Sequence, residues 1–484
     1  MSIAPTFFWH DFETTGADPA RDRPLQFAGV RTDSELNVVD EPCVHYCRPP
    51  RDLLPAPGAC VVTGIGPRQA EAAGLHEAGF AAAVLEELGR PGTCGVGYNS
   101  LRFDDEVTRH LLWRNLYDPY AREWRDGNSR WDVIDLFRLA RALRPEGLEW
   151  PDHEPGVPSF RLEDLARANG IEHQAHDALG DVHATIELVR RLRAAQPRLY
   201  EFALGARNKQ RAAELLPLDG SEPVLHVSGR YPSRRGCIAP VAAVARHPVD
   251  RNGIVVADLM ADPRPLLELD AETLATHLFT PAAERAPGAP EIPLKVVKLN
   301  RAPVLAPVNT LGAEAASRLA IDLATARGHL AELRRAPDLA QRLTAVFEPP
   351  TRGPRDADIA IYEGFVDDTD RARMDAVHRR APADLAGFDP GFGDRRVAEL
   401  YFRLRARNWP ATLDTAEAER WRELRWQRLC RGEAGSPRTR AEFRADLERL
   451  RASGELSGSM AEELTAWEAE LFADLPGCEV SDAE

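Results

Sequence analysis

Four acidic residues and one histidine in the first 181 residues have types and spacing suited to metal-dependent chemistry. Asp11 and Glu13 lie in the segment FFWHDFET, Asp104 ends the segment YNSLRFD, and His176 and Asp181 bound the segment HDALGD. Hard divalent cations prefer oxygen ligands. Two such cations can activate a water and stabilise a departing oxygen at a phosphodiester. The pattern therefore indicates a hydrolytic metal site.

Asp11 and Glu13 are expected on one strand, because their surroundings are aromatic and end in a Thr-Thr-Gly turn. Residues two apart in a strand point to the same side, so both carboxylates would project together. We expect Phe12 and Trp9 to pack on the other side. The two carboxylates repel unless a cation lies between them. The alternative is two ordinary acids on a solvated edge strand, which the aromatic surroundings disfavour.

The other three residues are ambiguous when each is taken alone. Asp104 follows a short apolar strand and begins a helix, so it also fits an N-cap, and Asp105 and Glu106 leave the choice of acid open. Asp181 fits a solvated helical position. His176 fits a capping or core histidine, but histidine is also the natural general base near neutral pH.

The elements that carry these residues alternate between strand and helix up to about residue 196. The patterns predict strands over 6–13, 38–46 and 94–99, and helices over 77–88, 105–113, 161–168 and 178–194. Ser159 is expected to be the N-cap of the helix over 161–168. This alternation is typical of an α/β layer domain.

The composition changes after this domain. Residues 223–310 are rich in Val, Pro and Gly, with strand-like runs at 253–257 and 294–297, and helices are expected over 313–347. Residues 348–354 form a plausible linker. The remainder is rich in Ala, Arg, Glu and Leu and ends in an acidic tail. We therefore predict an α/β domain over 1–196, a β-rich domain with helices over 197–350, an all-α domain over 355–476 and a disordered tail over 477–484.

Bulk composition excludes several classes of protein. The 484 residues are 44% hydrophobic and 28% charged, which describes a soluble globular chain of about three domains. No run of about 18 apolar residues occurs, so no membrane span is expected. The start of the chain does not resemble a secretory signal. The net charge of −15 argues against a uniformly nucleic-acid-coated surface, although a local basic groove remains compatible with it.

Cysteine usage suggests a reducing compartment. The seven cysteines are scattered, and the closest pair, Cys43 and Cys47, lacks a second pair at zinc spacing. All seven are predicted to be reduced thiols, which favours a cytoplasmic location.

In order, the motifs DxETxG, NxxxFD and HxxxxD resemble the histidine subtype of the DEDD exonuclease superfamily. The tyrosine subtype would need tyrosine where this chain has Asp177. Further segments narrow the resemblance to the bacterial exodeoxyribonuclease I family: RFDDEVTR, NSRWD, LRPEG, PSFRLE, HVSG, NTL and YEGF. The similarity runs from about residue 6 to about 470. It implies a ribonuclease-H-like exonuclease domain, then an SH3-like domain and an α-helical C-terminal domain.

The resemblance implies processive 3′-to-5′ hydrolysis of single-stranded DNA that releases 5′-mononucleotides in DNA repair and recombination. It implies two Mg²⁺ ions, for which Mn²⁺ can substitute. The metal-site acids would be Asp11, Glu13, Asp104 and Asp181, with His176 as the base. Glu13 would also contact the terminal sugar.

A track for single-stranded DNA needs cationic groups and aromatic stacking platforms. The resemblance implies that Arg161 holds the substrate end and that the track contains Arg109, Tyr120, Trp124, Arg138, Lys209, Asn252, Lys295 and Asn300. Without the resemblance, the aromatic residues fit a core equally well, and Arg161 fits a solvated helix surface.

The family resemblance also implies a protein partner, the acidic tail of the single-stranded DNA-binding protein, with Arg144 contributing to its pocket. A monomer is expected.

Two other functions stay open at this point. A proofreading or RNA-trimming nuclease of the same superfamily would need only the first domain. A non-catalytic DNA-binding scaffold would not need the acids and His176.

Overall fold

The computed structural model describes residues 5–172, 177–281, 284–348, 353, 355–475 and 477–478. These residues form two compact units. The first takes the described residues within Met1–Ser129, Gln174–His183 and Gly353–Glu484, and the second takes those within Arg130–His173 and Ala184–Arg352. No helix among the described residues is long and apolar enough to cross a membrane.

The N-terminal part of the first unit is a sheet flanked by helices. Its elements are β1 Thr6–Thr14, β2 Pro24–Thr32, β3 Cys43–Tyr46, α1 Pro57–Thr63, α2 Pro67–Ala73, α3 Glu77–Leu88, β4 Thr93–Gly97 and α4 Asp104–Arg114. The strand order is β3-β2-β1-β4. β1 pairs antiparallel with β2 and parallel with β4. β1 is thus flanked on both sides, as expected for a strand that carries a buried site.

Aromatic side chains fix one face of β1 against α3. Phe8 and Phe12 lie in a core cluster with Phe27 and Phe80, and the ring centroids of Phe12 and Phe27 are 4.7 Å apart. Trp9 lies two residues before Asp11, so its side chain points to the same side of the strand as Asp11. Its indole N–H donates to Thr32 Oγ1 at 2.9 Å. The expectation that Trp9 packs opposite the acids was therefore wrong, because side chains alternate strictly along β1.

The second unit begins within β5, takes α7 only from Ala184 onward, and contains an antiparallel sheet. The elements from there are β5 Ser129–Asp132, α5 Ile134–Leu143, β6 Asp152–Glu154, β7 Val157–Pro158, α6 Leu162–Ala168, α7 Ala178–Ala195, α8 Pro197–Ala206, α9 Lys209–Leu215, β8 Val224–Val227, β9 Ile238–Arg246, β10 Gly253–Asp258, α10 Arg264–Glu268, α11 Ala271–Phe279, β11 Leu294–Lys298, β12 Leu305–Pro307, α12 Ala313–Arg318, α13 Leu323–Arg335 and α14 Leu339–Val346. The sheet order is β11-β10-β9-β8-β12. Buried apolar residues of α13 and α14 pack on this sheet.

The C-terminal elements belong to the first unit and are helical. They are α15 Asp368–His378, α16 Arg395–Asn408, α17 Thr415–Arg431, α18 Arg440–Ser453 and α19 Gly458–Phe472. Capping boxes start α17, through Asp414 and Glu417, and α18, through Thr439. The prediction of a helical domain in this part of the chain is confirmed.

Cys430, at the end of α17, forms a disulfide with Cys478, with their Cα atoms 5.5 Å apart. The prediction that all seven cysteines are reduced was therefore wrong. The two cysteines are 48 residues apart in sequence, and no short cysteine spacing indicated that they pair. Cys478 lies inside the tail predicted over 477–484, and residues 479–484 lie outside the described part of the chain.

Candidate metal centre

Three carboxylates converge between β1 and the start of α7. Asp11 and Glu13 project from the same side of β1 because they are two residues apart. Asp181 lies in the first turn of α7. Ligand oxygen atoms of these three residues all lie within 4.8 Å of one another. The spacing is compatible with oxygen ligands gathered around a divalent cation.

Asp104 joins this group through the backbone of β1. It is the first residue of α4, and Phe103 occupies the N-cap position. Its Oδ1 accepts a hydrogen bond from the backbone N–H of Phe12 at 3.1 Å, and its side chain is buried. Since Phe12 lies between Asp11 and Glu13, this bond holds Asp104 against the metal-ligand strand.

Burial and mutual repulsion perturb the acids of this group. Burial raises the pKa of Asp11 well above its usual value, and the charges of Asp104, Asp181 and Glu13 add to the rise. Burial and then the charges of Asp181 and Asp177 raise the pKa of Glu13 to about 8. Crowded buried carboxylates disfavour their charged forms. A divalent cation would remove that repulsion, so the donor set fits Mg²⁺ or a similar ion.

Comparison with known proteins places this geometry in a family. The "Exonuclease" family model matches residues 8–189, "Exonuclease I SH3-like domain" matches 207–349, and "Exonuclease I C-terminal domain" matches 355–471. Exodeoxyribonuclease I of Escherichia coli is 47% identical over 427 residues, which cover 87% of this chain and 89% of the relative. The chain belongs to the exonuclease I family.

Solved structures of exonuclease I agree in fold along almost the whole chain. Exonuclease I from Methylocaldum szegediense superposes with a TM-score of 0.92 at 48% identity, covering 97% of this chain and 100% of that one. A zinc-bound complex of E. coli exonuclease I with single-stranded DNA superposes with a TM-score of 0.90 at 43% identity, covering 96% and 99%. The predicted ribonuclease-H-like, SH3-like and all-α fold classes are therefore confirmed.

His176 lies outside the described residues, so its position relative to the acids stays a prediction. Its neighbour Asp177 is described, and the charge of Asp177 contributes to the raised pKa of Glu13. Sequence reasoning used Asp177 only to separate the histidine and tyrosine subtypes. Its place one residue after the proposed base was the available signal that it lies near the site.

Three predicted track residues belong to the first unit. Arg109 is buried on α4, and its guanidinium donates to Glu123 Oε1 at 2.7 Å and Oε2 at 2.9 Å. The same guanidinium lies 5.4 Å from the ring centroid of Tyr120, which is partly buried. Trp124 is 64% exposed. Of these three side chains, Trp124 therefore offers the most open surface to a DNA base, while carboxylates already occupy Arg109.

Other track residues cluster around β10 and β11 in the second unit. Lys295 pairs across the sheet with Val256, and its Nζ lies 4.8 Å from the ring centroid of Tyr231. The backbone carbonyl of Asn252 accepts from Leu299 N–H at 2.9 Å, which places Asn252 beside the turn that contains the exposed Asn300. The fold thus gathers three residues that lie up to 48 positions apart.

The remaining track residues lie elsewhere in the second unit. Arg138 on α5 donates to Asp135 at 2.7 Å, and a Cβ on Gly229 would come within 2.9 Å of it. Arg161 is exposed and is the N-cap residue of α6, where Ser159 had been expected. Lys209 is exposed at the first position of α9.

Proposed function

We propose that this chain is a metal-dependent exodeoxyribonuclease that degrades single-stranded DNA from its 3′ end and releases 5′-mononucleotides. The observation that carries the proposal is the convergence of Asp11, Glu13 and Asp181 within 4.8 Å in a member of the exonuclease I family. The zinc-bound relative with single-stranded DNA supports both the substrate class and the dependence on a divalent ion.

The proposed roles follow from the chemistry of each side chain. Asp11, Glu13 and Asp181 would hold two Mg²⁺ ions, with Asp104 as the fourth acid and Mn²⁺ as a substitute. The bound ions would supply an activated water for attack on phosphorus and stabilise the departing 3′ oxygen. His176 would accept a proton from the attacking water. Glu13 would also contact the terminal sugar.

The substrate strand would be held by exposed aromatic and cationic side chains. Trp124 is the proposed base-stacking platform because its indole is open to solvent. Arg161, Lys209, Asn300 and Lys295 would contact phosphates or sugars. The proposed track also contains Tyr120, Arg109, Arg138 and Asn252. Arg109 would act partly through its carboxylate partners.

Four broader properties belong to the same proposal. Processive action, a monomeric state, a cytoplasmic location and a role in DNA repair and recombination are proposed from the family. The acidic tail of the single-stranded DNA-binding protein is the proposed partner. Arg144 is exposed at the C-cap of α5, where its guanidinium donates to the carbonyls of Leu143 and Thr310, and it supports this partner as a cationic surface group. The domain boundaries near residues 196, 350 and 476 stay predictions.

The activity test uses labelled substrates. We expect mononucleotide release from 3′-labelled single-stranded DNA with Mg²⁺ and none with EDTA, and much slower release from duplex DNA and RNA. Equal rates on duplex DNA or RNA would contradict the proposed substrate.

Asp181→Ala tests the ligand assignment. Loss of a ligand oxygen should lower turnover at least about 100-fold, beyond the usual cost of losing an outer partner of a metal site. Binding of single-stranded DNA in EDTA should persist. Glu187→Ala, a partly exposed acid further along α7 that pairs with Arg191, is the matched control. Near-normal turnover by Asp181→Ala would refute the ligand role.

A further inference from the structure

Trp124 lies directly after two charged residues whose side chains are largely shielded from solvent, which is unusual for a short surface turn. Arg122 and Glu123 lie in the 3₁₀ turn Ala121–Glu123. The side chain of Arg122 is 1% exposed and that of Glu123 is 9% exposed. Trp124, the next residue, is 64% exposed. The turn therefore buries its charges while it presents its aromatic ring.

Both charges pair with the same helix. Arg122 donates to Asp105 Oδ1, and Glu123 accepts two hydrogen bonds from Arg109. Asp105 and Arg109 are four residues apart on α4, so they lie on one face, one turn apart. The bidentate geometry of Arg109 with Glu123 fixes orientation as well as distance. Glu106, on the same helix, accepts a further hydrogen bond from Arg109 at 2.9 Å and so restricts the conformation of the Arg109 side chain.

The anchored helix also carries a site acid. Asp104 immediately precedes Asp105 and is held to β1 by the bond from Phe12 N–H. The guanidinium of Arg122 also lies against β4, the strand that pairs with β1: a Cβ on Gly95 of β4 would lie 3.4 Å from Arg122 Nη1 and 3.6 Å from His10 Cε1. His10 precedes Asp11. The Trp124 turn, the start of α4 and the metal-ligand strand are thus joined by buried contacts.

We infer that Arg122 and Glu123 are positioning residues that fix the Trp124 platform relative to Asp104 and the metal-ligand strand. A base stacked on Trp124 and a phosphodiester at the acids then keep a constant separation as the strand advances. Neither residue touches the DNA. The inference rests on the proposed stacking role of Trp124, and it adds two residues that the sequence analysis did not select.

The test measures binding of a fluorescent oligothymidylate in EDTA, where cleavage is absent. Arg122→Gln and Glu123→Gln should each weaken binding roughly 5-fold or more, close to the loss in Trp124→Ala, which removes one base-stacking contact. Combining either substitution with Trp124→Ala should weaken binding no further, because the pairs act through that ring. Arg122→Lys keeps a cation beside Asp105 and should restore much of the affinity.

The control is Glu86→Gln, an exposed acid on α3, which should bind as the wild type does. Melting temperatures report folding, and if Arg122→Gln does not fold, Arg122→Lys and Glu123→Gln carry the test. Wild-type binding by Glu123→Gln together with weak binding by Trp124→Ala would overturn the positioning role alone. Losses of affinity that multiply in the double variants would also overturn the positioning role alone. Wild-type binding by Trp124→Ala would overturn the stacking role and the inference with it.

Discussion

Asp104 combines two properties that a single substitution can separate. Its negative charge raises the pKa of Asp11, and its Oδ1 accepts the hydrogen bond from Phe12 N–H. The charge belongs to the proposed metal chemistry, whereas the hydrogen bond holds α4 to β1. An asparagine in this place retains an acceptor oxygen of the same shape but has no charge.

Asp104→Asn is expected to lower turnover at saturating Mg²⁺ at least about 100-fold, since a metal-site charge is lost. Its melting temperature should be no lower than that of the wild type, because repulsion among buried acids falls while the bond to β1 stays. Asp104→Ala should lose both activity and stability. Steady-state kinetics and thermal melts measure the two effects. Turnover within a few-fold of wild type in Asp104→Asn would exclude a metal-site role for this acid.

At the scale of elements, a buried charge cluster ties the C-terminal helices to the N-terminal sheet within the first unit. Arg407 on α16 pairs with Asp52 at 2.8 Å and with Asp358 at 2.6 Å. Arg23, next to β2, pairs with Asp358 at 2.9 Å. Arg428 on α17 pairs with Asp52 at 3.2 Å. Removing one partner from such a cluster leaves a buried charge uncompensated, which is more costly than losing a surface pair.

Asp358→Asn is therefore expected to destabilise the first unit by about 3–5 kcal/mol at pH 7, as measured by guanidinium denaturation. Burial acts to raise the pKa of Asp358, but Arg407, Arg403, Arg23 and Arg428 hold it well below its usual value. A lowered pKa stabilises the fold fully above the unfolded value of about 3.9, and the contribution is lost as pH falls towards the folded pKa.

The difference in stability between wild type and Asp358→Asn should consequently shrink as the pH is lowered below about 4. Asp368→Asn, whose side chain is 98% exposed at the start of α15, is the matched control and should change little. A difference that stays constant from pH 7 to pH 3 would mean that the charge of Asp358 does not stabilise the fold.

Local sequence patterns predicted the helices and strands better than they predicted the contacts between residues. The predicted helices over 77–88 and 178–194 match α3 and α7 almost to the residue, because apolar spacing marks their buried faces. The strand predicted over 38–46 was too long, since the continuous strand β3 covers only Cys43–Tyr46, and Val38 makes an isolated bridge with Thr32 of β2. Ser159 was wrong as the N-cap because α6 begins only at Leu162, which puts Arg161 in the cap position; the Ser159 hydroxyl accepts from Arg161 N–H and donates to Asp164. The pair of Arg23 with Asp358 spans 335 residues, and no local pattern encodes it.

The candidate site shows the same limit. The acids were found because their order and spacing resemble a known motif, and the fold then brought three of them together. Arg122 and Glu123 were not found, because a charged pair before an exposed tryptophan is an ordinary surface pattern. Their burial depends on the face that α4 presents to the turn, which only the structure shows.

At the scale of the whole molecule, the disulfide between Cys430 and Cys478 weakens the inference of a reducing compartment from scattered cysteines. The bond closes a loop of 48 residues that contains α18 and α19. Cys478 lies in a core cluster with residues of both helices, and its carbonyl accepts from Arg440 Nη1 at 2.7 Å. The cytoplasmic proposal therefore rests on the DNA substrate and the family, and the oxidation state of this pair becomes a property to measure.

Reduction of this bond is expected to destabilise the C-terminal helices by about 4 kcal/mol, the chain-entropy value for a loop of this size. The melting temperature should fall by several degrees in dithiothreitol. The double variant Cys430→Ser/Cys478→Ser should melt at the lower temperature and should not respond to dithiothreitol, whereas Cys43→Ser, a half-buried thiol outside the pair, should keep the response. Peptide mapping without reductant should recover one linked pair. Alkylation of both cysteines in the folded, unreduced protein would show instead that the thiols remain separate, and the closed loop would then contribute nothing to stability.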